Sequence, residues 1–165
     1  MFGDFNSKVE FFLQPSSQDI LEVKCGFRVF KDTLKNSYIL EFKYFKKDAI
    51  DTGLGKKTVK NDEIVGQVFE IKTPFVELLF EKMVDLIHNF KAKAMTSIID
   101  GGDRVTFRTV VEDEVWTLNV HVPRGNAQKM SDLCKTIMKD ATNDNLNEEN
   151  YMKILEKFNF KPSGR

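Results

Sequence analysis

The sequence predicts an α+β fold in which an antiparallel sheet packs against one long helix and two C-terminal helices. Three observations predict it. Three runs between residues 5 and 45 alternate apolar and polar side chains, joined by short polar links, as in an antiparallel meander. Behind Thr73-Pro74, apolar residues recur at helical spacing from Val76 to Ala94. After a second alternating block at 105–122, two further helical stripes fill the C-terminal third.

In the first run, Phe5, Val9, Phe11 and Leu13 oppose Asn6, Lys8, Glu10 and Phe12. Gln14 to Gln18 has turn chemistry around Pro15. The second run places Leu21, Val23, Cys25, Phe27 and Val29 inward and Glu22, Lys24 and Arg28 outward. The third sets Tyr38, Leu40, Phe42 and Tyr44 against Glu41 and Lys43. Residues 46–62 are polar and contain Gly53 and Gly55, so a long mobile loop is expected there. Glu63 to Lys72 reads as a fourth strand, with Gly66 as a candidate bulge.

The long helix follows, with Thr73 as its expected N-cap and Pro74 in its first turn. Its apolar stripe is Val76, Leu79, Met83, Leu86, Ile87, Phe90 and Ala94, and Gly101-Gly102 closes the segment. A hairpin looped over Glu112 to Val115 would pair Val111 with Trp116, Thr109 with Leu118, Phe107 with Val120 and Val105 with Val122. A loop two residues shorter preserves the same faces. The inner face carries the single tryptophan, and the outer face carries Arg104, Thr106, Arg108, Asn119 and His121.

Asn126 is the expected cap of the second helix, whose stripe is Ala127, Met130, Leu133, Cys134, Ile137, Met138 and Ala141. Asn147 is the expected cap of the third, with Tyr151, Ile154, Leu155 and Phe158 inward. The tail from Lys161 to Arg165 is expected to be loose. The 165 residues read as one domain, 1–165, long enough to bury a core without metal or disulfide.

Composition narrows the function classes. The hydrophobic fraction is 41%, with fifteen phenylalanines, which excludes global disorder. Twenty-five basic residues balance twenty-five acidic ones, so nucleic acid is not favoured as the partner. No apolar run approaches the roughly 20 residues a membrane-spanning helix needs, and the N-terminus lacks the pattern of a signal peptide. Cys25 and Cys134 both fall on inward faces, the placement of buried thiols in a reducing cytoplasm, although a disulfide between them is compatible with the spacing.

Several motifs touch chemistry. Asp51-Thr52-Gly53 resembles the catalytic loop of retroviral-type aspartic proteases, and Ile98-Ile99-Asp100-Gly101 echoes that family's second element. That fold is nearly all β, whereas here a long helix intervenes, and Asp100 interrupts the second element; a turn is the better reading. Gly53 to Thr58 approaches a phosphate-binding loop, but Ile50 stands where glycine is needed and Lys57 where a hydroxyl is needed. Glu77, Glu81, Asp85 and His88 share one face of the long helix. They read as a solvated face, because no second cluster supplies further metal ligands.

The expectation is a protein-binding module without catalytic activity, cofactor or metal, acting by occlusion of a partner as immunity-type inhibitors or mobile-element accessory proteins do. Its candidate contact residues are Arg104, Arg108, Asn119, His121, Tyr44, Phe45, Lys56 and Lys57. The expected partner is another protein, with no membrane association; a homodimer is compatible with the composition. The alternative is a small-molecule or lipid binder with a phenylalanine-lined pocket. A third reading is an enzyme using His121 or Asp51.

Overall fold

Alternation places the apolar side of each run on one face of a sheet, and the chain realises it as six strands and three helices among the described residues. The computed structural model describes residues 7–15, 24–51, 57–90 and 102–160, with backbone alone at 46–51 and 57–63. In chain order the elements are β1 (Val9–Gln14), β2 (Cys25–Asp32), β3 (Ser37–Asp51), β4 (Lys57–Ile71), α1 (Thr73–Asn89), β5 (Arg104–Val111), β6 (Glu114–His121), α2 (Gly125–Thr142) and α3 (Glu148–Glu156). The fold is α+β. The six strands form one sheet in the order β4-β3-β2-β1-β5-β6, and every neighbouring pair is antiparallel. The first strand in sequence therefore lies inside the sheet, flanked by β2 and β5.

Local chemistry sets the turns. Between β2 and β3, Asp32 Oδ1 accepts from the N–H groups of Leu34 and Lys35, and Asn36 adopts φ 52°, a left-handed position asparagine tolerates. Between β5 and β6 the loop is only Glu112-Asp113, with φ of 49° and 65°, matching a tight hairpin turn. Thr109 thus faces Trp116, Phe107 faces Leu118 and Val105 faces Val120. This register is two residues from the expected one, yet the faces are unchanged because the shift is even.

The expected loop at 46–62 is largely strand. β3 runs to Asp51 and β4 starts at Lys57, with Asp51 paired to Lys57 and Ile50 to Thr58. Backbone pairing carries this extension, which explains why a polar sequence concealed it. Residues 52–56, including Thr52, Gly53 and Lys56, lie outside the described residues, as do Ile98 to Gly101, Ala94 and the tail from Lys161.

Two helix starts differ from expectation. Thr73 is already helical and Lys72 is the N-cap of α1, without a side-chain cap. The Lys72 N–H instead donates to Glu148 Oε2 at 2.9 Å, which ties the start of α1 to the first turn of α3. Arg124, not Asn126, precedes α2; Asn126 lies within the helix and cannot cap it. Asn147 caps α3 as expected, its side chain accepting from the Asn150 N–H.

A single cluster joins sheet and helices. It contains Val9, Phe11, Leu13, Phe27, Val29, Leu40, Phe42, Val105 and Phe107 from the strands. Val76, Leu79, Met83 and Leu86 of α1, the full expected stripe of α2, and Tyr151 and Leu155 of α3 complete it. Phe11 packs on Phe27 and Phe107 with ring centroids 5.9 and 5.4 Å apart. Tyr151 packs at a tilt against Phe75 and donates to Asp140 Oδ2 at 2.6 Å, so α1, α2 and α3 meet at one buried phenol. Burial and the Asp140 hydrogen bond both push the Tyr151 phenol up. Neither Cys25 nor Cys134 is in a disulfide; Cys134 is buried, and desolvation pushes its thiol up, so its thiolate is suppressed. No helix among the described residues is long and apolar enough to cross a membrane.

Candidate functional site: the helix-free sheet face

The strand residues that alternate away from this core line the other face of the sheet. Phe12, Phe30, Ile39, Phe45, Val110 and Val115 stand outside the core cluster. The register aligns this face into rows running across the strands.

One row crosses all six strands: Val68, Glu41, Arg28, Glu10, Arg108 and Thr117. Its charged members alternate in sign. Arg28 donates from Nε to Glu41 Oε2, Lys43 reaches Glu41 Oε1 at 2.8 Å, and Arg108 Nη1 lies 3.2 Å from Glu10 Oε1. Glu10 is buried, with two arginines directly opposite it on the neighbouring strands. A carboxylate so placed needs its cations, since an unpaired buried charge is strongly destabilising. Burial raises the Glu41 pKa, but the hydrogen bonds from Lys43 and Arg28 outweigh it and hold the carboxyl below its ordinary value of 4.5.

The next row is Gly66, Lys43, Gly26, Phe12, Thr106 and Asn119. Gly26 is required here, because a Cβ would fall 2.5 Å from the Phe11 carbonyl oxygen and 3.3 Å from Phe12 Cδ2. Thr106 donates to Asn119 Oδ1 at 2.8 Å. Beyond it, Ile64 pairs with Phe45, the Phe45 N–H donates to the Lys24 carbonyl, and Arg104 sits between Gln14 and His121. These two rows contain Lys24, Lys43, Arg104 and His121 beside Phe12, Phe45 and Ile64, and no carboxylate.

The structure brings five of the expected contact residues onto this face: Arg104, Arg108, Asn119, His121 and Phe45. Tyr44 faces the helices, half-buried and stacked on Phe42 at 5.6 Å, so it belongs to the opposite surface. Lys57 opens β4 at the end of the long hairpin, and Lys56 lies outside the described residues. Sequence reading missed Glu10, Arg28, Glu41 and Lys43 as a unit. Opposite charges at outward positions of successive strands were the available signal.

The helical acidic row disperses. Glu77 takes Lys8 at 2.6 Å and a hydrogen bond from Tyr38; the Lys8 bond holds the Glu77 carboxyl below 4.5. Glu81 pairs with Lys82. His88 stacks on Trp116, with centroids 5.9 Å apart and planes 20° from parallel. The tryptophan's aromatic neighbour is thus His88 of α1, not His121. A shallow depression of about 390 Å³ lies between Glu77, Leu78, Phe80, Glu81, Val84 and Asp85. Among the described residues, no group of three or more His, Cys, Asp or Glu is placed to hold a metal. His121 on β6 and Glu81 on α1 lie on opposite sides of the sheet.

Among the described residues, the architecture is that of an α+β protein with one six-stranded antiparallel sheet, one face of which carries no helix. No family model matches the chain, and no curated protein or solved structure matches it either.

Proposed function

We propose that the chain is a protein-binding module that engages an acidic patch on its partner through the helix-free sheet face. The observation that carries this reading is the pair of rows joining Lys24, Arg104 and His121 to Phe12, Phe45 and Ile64 without a carboxylate; Lys43, in the same rows, is held by Glu41. Aromatic anchors beside arginine are the usual composition of binding hot spots, and basic groups steer an acidic partner. A broad sheet face cross-linked by ion pairs suits occlusion of a partner's site, as an immunity-type inhibitor works. Glu10 and Glu41 at the centre of the face weigh against a polyphosphate chain lying across it. The ring-on-ring packing of Phe11, Phe27 and Phe107 favours a filled core over a phenylalanine-lined ligand pocket. Neither cysteine is in a disulfide, which fits a cytoplasmic setting.

The test is affinity capture from the source cells with the wild type, the Lys24→Glu/Arg104→Glu double variant, and Lys153→Glu on the exposed side of α3. Expected is a partner retained by the wild type and Lys153→Glu, released by added salt and lost with the double variant. Equal retention by all three proteins, or capture of single-stranded nucleic acid instead, would sink the reading.

A further inference from the structure

We infer that two copies of this chain associate through the outer edge of β4, antiparallel about a two-fold axis at Gly66, so that the two sheets continue as one. The inference shares Ile64 with the face proposed above but rests on the unpaired edge of β4, not on the basic rows.

β4 ends the sheet order, so no described strand pairs with its outer edge. Such an edge is a template for another strand unless it is blunted. The edge carries Ile64 at 47% exposure and Val68 at 64%. These lie two residues either side of Gly66, on the same face of the sheet.

No contact among the described residues requires a glycine at Gly66. Its φ is not in the left-handed range, and an added Cβ would meet Lys43 Cγ at 3.5 Å and the Phe42 carbonyl oxygen at 3.6 Å, both ordinary contacts. Gly26 differs, because its own neighbours exclude a side chain. A glycine that weakens a strand while space for a side chain is present marks close approach by something outside.

A second copy accounts for all three features. With antiparallel pairing centred on Gly66, each Ile64 stands opposite Val68 of the second copy, Val65 stands opposite Gln67, and the two glycines meet at the axis. The large apolar side chains close over the gap that the glycines leave, making two equivalent cross-strand pairs. The register shift opposite Lys46 and Asp48 interrupts the edge between Lys60 and Glu63, which keeps the match to the regular stretch around Gly66. The other edge, β6, offers no such symmetry: Val115 is at its end beside the turn, and Thr117 and Asn119 follow outward.

Sedimentation velocity of the full 165-residue chain across a concentration series reads the outcome. Expected is a monomer–dimer equilibrium that Val68→Lys weakens by about tenfold or more and that Thr117→Lys on β6 leaves unchanged. Val68 is exposed, so lysine there leaves the fold intact, which circular dichroism checks. Under mild oxidation, Gly66→Cys gives a disulfide-linked dimer, whereas the wild type, with Cys25 and Cys134 present, and Thr117→Cys do not. A wild type that remains monomeric at every concentration overturns the inference, and so does association that Val68→Lys leaves intact. An edge that accepts only a foreign strand falls under the first of these results.

Discussion

Glu41 holds two cations, Arg28 and Lys43, on a surface where its own side chain is only 15% exposed. Its carboxyl, like that of Glu77, binds protons less readily folded than unfolded. The unfolded chain therefore binds more protons near pH 4, and stability present above the ordinary value of 4.5 is lost as pH falls through the lowered folded value. Glu77 is half exposed, so solvent screens most of its share. Urea midpoints measured between neutral and acid pH are expected to fall below that value, and Glu41→Gln is expected to flatten the fall. At neutral pH the substitution is expected to cost about 1.5–3 kcal/mol, the range for a lost charge-assisted hydrogen bond. A midpoint in the variant equal to that of the wild type at neutral pH would show that the ladder contributes nothing.

At the scale of elements, the β5–β6 turn stores a correctable cost. Glu112 and Asp113 both take left-handed φ, a region that costs an L-residue roughly 1–2 kcal/mol and that Asn-Gly occupies most readily. Replacing the pair by Asn-Gly is expected to stabilise the chain by about 1 kcal/mol, read as a higher thermal midpoint without change in the Trp116 emission. The same turn shows what sequence can convey. Alternation fixed the faces of β5 and β6, but Glu-Asp lacks the usual two-residue turn signature, so the loop length was not legible. The helical stripes were legible almost residue by residue, because each buries one continuous face. The ends of β3 and β4 were not, since a polar hairpin pairs by backbone groups that leave no hydropathy pattern. Arg104, Arg108, Asn119 and His121 were legible as one surface from alternation alone. The pairing of Arg108 with Glu10, ninety-eight positions away, required the strand order, and so did the contact between His88 and Trp116.

At the scale of the whole molecule, the order β4-β3-β2-β1-β5-β6 divides the sheet at β1. One side is a meander of successive strands, and the other is completed only after α1. A chain ended at residue 90 contains β1 to β4 and α1 but lacks β5, α2 and α3. It exposes Phe11 and its neighbours on one side and an unpaired β1 edge on the other. Such a fragment is expected to show no cooperative urea transition and to aggregate, whereas the complete chain unfolds in one step; a cooperative transition in the fragment would mean that the meander is a folding unit in its own right.

Because Val9 pairs with Thr109, ribosomal synthesis must add about a hundred residues after β1 before that strand acquires its second neighbour. Until then the nascent chain holds a sticky, half-finished ribbon, the situation that trigger-type chaperones relieve. Such sequence-distant closure also raises contact order, which places refolding toward the slow, millisecond-to-second end of the single-domain range.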